Sequence, residues 1–254
     1  MDSGHRSPIV DLFRRGDVAR DLRILAAQGA LSAAAHEQLA LLMLLADDSD
    51  PEIAPLAEAT LRALPEDPLR AFLARQDAPA EMRAFFAARG IAPADVPATD
   101  VAQPLIDTVD DGDEELQGSP ETPMLLAGLP IKKKIKLAFK GTREQRAQLI
   151  RDPNKLVAAA VLSSPKLTDA EVESFARMTN VTEEVLRVIG TKRGWVKNYG
   201  VALGLVRNAK TPLAISMQLL ARISERDIKL LVVDRNVPEA LRLAARKRLV
   251  KSVK

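Results

Sequence analysis

Residues 130–250 repeat one short pattern: a helix-opening residue, an apolar run, then a brief polar break. Asp152-Pro153, Thr168-Asp169, Thr211-Pro212 and Val237-Pro238 are four of the openings. Apolar runs such as Leu156-Val157-Ala158-Ala159-Ala160-Val161-Leu162 and Leu219-Leu220-Ala221 lie between them. Proline is tolerated in a first helical turn because the N–H it lacks would have no intrahelical acceptor there. Thr142 with Gln145, and Thr168 with Glu171, have the spacing of a capping box, in which side chain and backbone satisfy each other reciprocally. Segments this short are marginal as isolated helices, so each must cover its apolar side with neighbours. The pattern confines this half to a stack of about eight short helices.

The first ninety residues follow the same logic. Gly16-Asp17, Ser32, Asp50-Pro51, Asp67-Pro68 and Asp77-Ala78-Pro79 read as successive helix openings, with Gly29 and Gly90 as stops. Ala and Leu dominate the composition and aromatics make up only 3%, which favours helix over strand. The expected class is all-α.

Between the two helical stretches the periodicity dissolves. Residues 91–127 contain Ala92-Pro93, Val96-Pro97, Ser119-Pro120 and Thr122-Pro123, together with the block Asp110-Asp111-Gly112-Asp113-Glu114-Glu115. Proline and dense like charge cannot bury enough apolar area to offset chain entropy. Three parts are therefore expected: an acidic helical block at 6–90, a disordered acidic linker at 91–127, and a basic helical block at 128–254.

Charge divides along the same line. Residues 1–130 carry 10 Arg, no Lys and 23 Asp+Glu, a net of −13, whereas residues 131–254 carry 27 basic and 11 acidic residues, a net of +16. Such a split predicts a charged partner for each half or attraction between the halves. Cysteine is absent, which excludes disulfides, thiolate catalysis and cysteine-ligated metals. The longest apolar run, residues 39–46, is far short of the ~20 residues of a membrane span. The N-terminal residues lack the basic-then-apolar order of a secretory signal. A soluble, cytoplasmic protein is expected.

Two internal echoes point to repeats. Residues 180–187 (NVTEEVLR) resemble residues 236–242 (NVPEALR), and Ser164-Pro165-Lys166-Leu167-Thr168 resembles Asn208-Ala209-Lys210-Thr211-Pro212. These turns, each followed by an apolar helix, resemble those of HEAT-like α-solenoids and leucine-rich-repeat-variant proteins. Asp50-Pro51-Glu52-Ile53 with Leu61 extends the resemblance to the first block. It implies a curved array used for protein–protein interaction, as in uncharacterised bacterial repeat proteins, and it supplies no activity and no cofactor. The iron–sulfur cluster of one such protein has no cysteine ligands here. A few HEAT-like proteins are DNA glycosylases, which need an aromatic cleft around a carboxylate, and this chain has a single Trp.

Candidate binding residues are cationic. Lys132, Lys133, Lys136 and Lys140 gather on one side of a helix, opposite the stripe Ile131, Ile135, Ala138 and Phe139. Either this is a solvated face, or an anionic partner relieves the mutual repulsion. Lys192 and Arg193 precede Trp195 and Tyr199, an interleaving of cations and aromatics that suits single-stranded nucleic acid. The competing reading places Trp195, Tyr199, Ala202, Leu203 and Val206 on one core-facing helical stripe. Asp48, Asp50 and Glu52 alternate as in a calcium loop but lack its central glycine, so helix capping accounts for them. His5 and His36 are solitary, and no nucleophile, phosphate-loop or metal motif occurs. The sequence thus predicts a non-enzymatic protein-binding scaffold, with nucleic-acid binding through the basic block as the alternative and no small-molecule substrate.

Overall fold

The computed structural model of the chain describes residues 7–32, 34–98, 104–106, 126 and 128–252. Among these there are sixteen helices and no strands. The helices are α1 (Pro8–Arg14), α2 (Arg20–Ala27), α3 (Ala35–Ala46), α4 (Ile53–Arg62), α5 (Glu66–Leu73), α6 (Ala80–Ala87), α7 (Ile131–Lys140) and α8 (Arg143–Leu149). They continue as α9 (Lys155–Leu162), α10 (Asp169–Arg177), α11 (Glu183–Thr191), α12 (Arg193–Val196), α13 (Tyr199–Arg207), α14 (Leu213–Leu220), α15 (Glu225–Val233) and α16 (Glu239–Ser252). The chain divides into two compact units, Met1–Phe139 with Ser163–Pro165, and Lys140–Leu162 with Lys166–Lys254. This division falls within α7.

In the first unit α3 is central and packs against α1, α2, α4 and α6. Leu39, Leu41, Leu42 and Leu45 are fully buried on it, each contributing about 1.5–3 kcal/mol of burial free energy. Gly16 and Gly29 follow α1 and α2 with φ of 73° and 80°, the left-handed stop that a Cβ would disfavour. Several of the expected openings move: the N-cap of α2 is Ala19, and that of α5 is Pro65, so Asp67-Pro68 falls inside the first turn of α5. Ala34, not Ser32, occupies the N-cap of α3. Pro51 lies in a turn ahead of α4, where the Asp50 carboxylate accepts the Glu52 N–H at 3.1 Å. Residues 91–98, expected to belong to a structureless linker, are irregular but bonded along α5. Ala94 N–H donates to the Arg70 carbonyl (3.0 Å) and Ala98 N–H to that of Ala71 (2.7 Å). Gln38 holds Leu105 and Ile106 through their N–H groups at 2.8 and 3.0 Å. No local pattern encodes either tether, because each joins residues far apart in sequence. The acidic block at 110–115 lies outside the described residues.

In the second unit α8 packs on α9 and α10, α10 on α11 and α13, and α9 on α11. Further along, α11 meets α14, α14 meets α16, and α15 meets α16. Both expected capping boxes form, Thr142 with Gln145 and Thr168 with Glu171. Three basic side chains then reach carbonyls at the ends of earlier helices. Lys166 donates to the Lys140 carbonyl at 2.9 Å, Arg222 to that of Val196 at 2.6 Å, and Arg248 to that of Leu220. These cations occupy the carbonyls that helix ends leave open.

Candidate functional site

The lysine helix α7 has the two faces that its spacing predicts. Ile135, Ala138 and Phe139 are buried and Ile131 is half-buried, while Leu137, next to Lys133 and Lys140 around the helix, is buried as well. Lys132, Lys133 and Lys140 are exposed, whereas Lys136 is half-buried. Among the described residues no carboxylate pairs with Lys132, Lys133 or Lys140. The opposing stripe explains why a segment with five lysines is helical at all, since burial on one side outweighs a few tenths of a kcal/mol of repulsion per pair on the other.

Lys192 and Arg193 lie in the second unit, both exposed. The Lys192 ammonium stands 4.0 Å from the centre of the Trp195 ring, a cation–π contact. The core reading of the following aromatics holds only in part. The Asn198 side chain accepts the Gly200 N–H at 2.8 Å and opens a new helix there. Trp195 on α12 and Tyr199 on α13 therefore do not share a helical face. Ala202 and Val206 are buried, but Trp195 and Leu203 are half-buried and Tyr199 is 42% exposed.

The Tyr199 hydroxyl donates to the Asp227 carboxylate and accepts the Ser224 N–H at 3.1 Å. Ser224 in turn caps α15, its oxygen accepting the Asp227 N–H at 3.3 Å. With the Tyr199 hydroxyl first, then Ser224 and Arg207, the surroundings hold the Asp227 carboxyl below the usual aspartate range. This cluster fastens α13 to α15.

The calcium-like acids of the first unit are engaged by arginines. Asp48 accepts from Arg23 at 2.6 Å, and Asp50 from Arg20 at 2.7 Å, while Glu52 also meets Arg20. The Arg20 hydrogen bond is the main reason that the Asp50 carboxyl titrates low. Among the described residues no three His, Asp or Glu side chains gather as a metal site would require.

One feature that the sequence did not suggest is a groove of about 610 Å³ in the first unit. Its floor is the α3 stripe His36, Ala40, Met43, Leu44 and Asp47, and its walls are Val10 and Arg14 of α1 and Glu81, Met82 and Phe85 of α6. The α3 stripe was legible as i, i+4, i+7, i+8, i+11. That it faces an opening depends on where α1 and α6 end, which no local pattern encodes.

No protein-family model, no curated protein and no solved structure matches this chain. Among the described residues, no helix is long and apolar enough to cross a membrane.

Proposed function

We propose that the chain is a non-enzymatic, cytoplasmic scaffold whose helices form a HEAT-like α-solenoid and bind another protein through their outer faces. The observation that carries this is the pairing of exposed aliphatic residues at helical spacing. Leu213 and Met217 on α14 are 44% and 43% exposed at i, i+4, and Leu230 and Val233 on α15 are 50% and 73% exposed at i, i+3. A lone exposed Leu is ordinary, but pairs at helix spacing on successive helices match the way helical surfaces dock partners. The stacking of α9 on α11, α11 on α14 and α14 on α16 supports the array.

A second reading, nucleic-acid binding, draws on the exposed Lys132, Lys133 and Lys140 and on Lys192 beside Trp195. It is weaker because many cations of the second half serve the fold: Arg146, Lys166, Arg222 and Arg248 bond carbonyls, and Arg177, Arg187 and Arg207 pair with carboxylates. Affinity capture with the full chain, with and without nuclease, separates the two. A protein retained after nuclease and lost from a Leu213→Glu, Met217→Glu variant supports the scaffold. Capture that nuclease abolishes supports the alternative.

A further inference from the structure

The outward face of α16 is not a plain polar surface. Leu241 and Ala245 turn inward at 0% exposure. On the other side Leu243 (47% exposed), Arg246, Lys247 and Val250 (66% exposed) follow at i, i+3, i+4, i+7, which places them on one stripe. The helix is thus apolar on two opposite sides, with two cations between the outer aliphatics. Among the described residues no carboxylate pairs with Arg246 or Lys247.

The groove of the first unit is the chemical complement. Met43, Leu44 and Phe85 are half-buried in it, and Asp47 and Glu81 are exposed on its lining without a described cation. Arg14 and His36 also line it, and polar and apolar surface share the lining about equally, so charge and apolar contact contribute together.

We propose that α16 of one copy docks in the α1–α3–α6 groove of a second copy. Leu243 and Val250 meet Met43, Leu44 and Phe85, while Arg246 and Lys247 meet Asp47 and Glu81. The proposal rests on reading the helical faces as protein-binding surfaces and names their occupant. The donating and accepting surfaces differ, so the contact is head to tail and generates rings or open chains. The opposite net charges of the two halves steer the encounter and make it salt-sensitive.

Sedimentation velocity of the full chain across a concentration series tests this at low and high salt. Mass should rise with concentration at low salt and fall as salt is added. Asp47→Lys with Glu81→Lys, and separately Arg246→Glu with Lys247→Glu, should each weaken association at least tenfold with unchanged helicity by circular dichroism. An equal mixture of the two variants should associate again, because each supplies the charge that the other now needs. A wild-type chain that stays monomeric at its highest soluble concentration overturns the proposal, as does a mixture no larger than its components. Either result leaves the scaffold reading standing if nuclease-resistant capture of a different protein persists.

Discussion

Arg146 of α8 and Glu171 of α10 form a buried two-point ion pair, with Nε to Oε1 at 2.9 Å and an Nη to Oε2 at 3.1 Å. Both side chains are almost fully enclosed, at 6% and 2% exposure. Burying two charges is costly, and the pair holds because every group is used. Arg146 also donates to the carbonyls of Gly141 and Lys166, and Glu171 accepts the Thr168 N–H as the second half of a capping box.

Removing one partner should therefore cost far more than removing both. Arg146→Met is expected to destabilise the chain by about 3–5 kcal/mol in urea titrations, because it strands a buried carboxylate. Adding Glu171→Met should recover part of that loss, less about 1 kcal/mol for the missing cap. A single Arg146→Met variant within about 1 kcal/mol of wild type would show that water reaches the carboxylate.

Glycines at close approaches separate two outcomes of one substitution. A Cβ on Gly190 would lie 2.5 Å from the Ile215 side chain, whereas one on Gly194 meets nothing within 4 Å. Gly190→Ala should cost about 1–3 kcal/mol through overpacking against a branched residue. Gly194→Ala, within α12, should stabilise by about 0.4–1 kcal/mol by restricting the unfolded chain. Thermal melts of the two variants should move in opposite directions, and a Gly190→Ala melt at or above wild type would refute the tight contact.

Much of the fold was legible because its signals are local. Thr142 with Gln145 and Thr168 with Glu171 are three residues apart, and the Ile135–Phe139 stripe lies within one helix. The break between Trp195 and Tyr199 depends on Asn198 acting as a cap, a signal present in the sequence but weaker than the apolar spacing around it. The net charge of +16 overstated the free cations. Arg222 and Arg248 are spent on carbonyls about 25 residues upstream, and only packing decides which carbonyls come within reach. The groove has no local signature for the same reason, since α1, α3 and α6 are brought together by the core and not by sequence spacing.

The Asp227 cluster predicts an acid limit for the second unit. The folded carboxyl titrates below its unfolded range, so its contribution is complete above the unfolded value near 4 and is lost as pH falls through the folded one. Tyr199→Phe removes the largest cause and leaves Asp227 with Ser224 and Arg207. The variant should match wild type most closely at low pH and fall behind it above pH of about 4. Unfolding midpoints compared at several pH values check this, and a constant difference across that range would assign the tyrosine a packing role only.

The face of α7 distinguishes a solvated surface from an anion-binding one. Lys132, Lys136 and Lys140 stand at i, i+4, i+8, and like charges at that spacing cost roughly 0.2–0.5 kcal/mol per pair. If the face is merely solvated, replacing Lys132, Lys133 and Lys140 with Ala relieves that repulsion and slightly raises the melting temperature. Nothing else changes, and the wild-type chain does not retard DNA or RNA even at low salt. If the face binds phosphates, each lost contact removes a released counterion, and the slope of log affinity against log salt becomes shallower by about 0.7–0.9 per lysine. The triple variant would then flatten the salt dependence by about 2–3 units while weakening all sequences alike. Lys136 is left in place because it is half-buried beside the core stripe, where substitution would mix packing with charge. Gel retardation of the full chain over a salt series, run beside thermal melts of the same two proteins, reads both quantities. A flattened slope decides for nucleic acid, and a raised melting temperature without wild-type retardation decides for the solvated face.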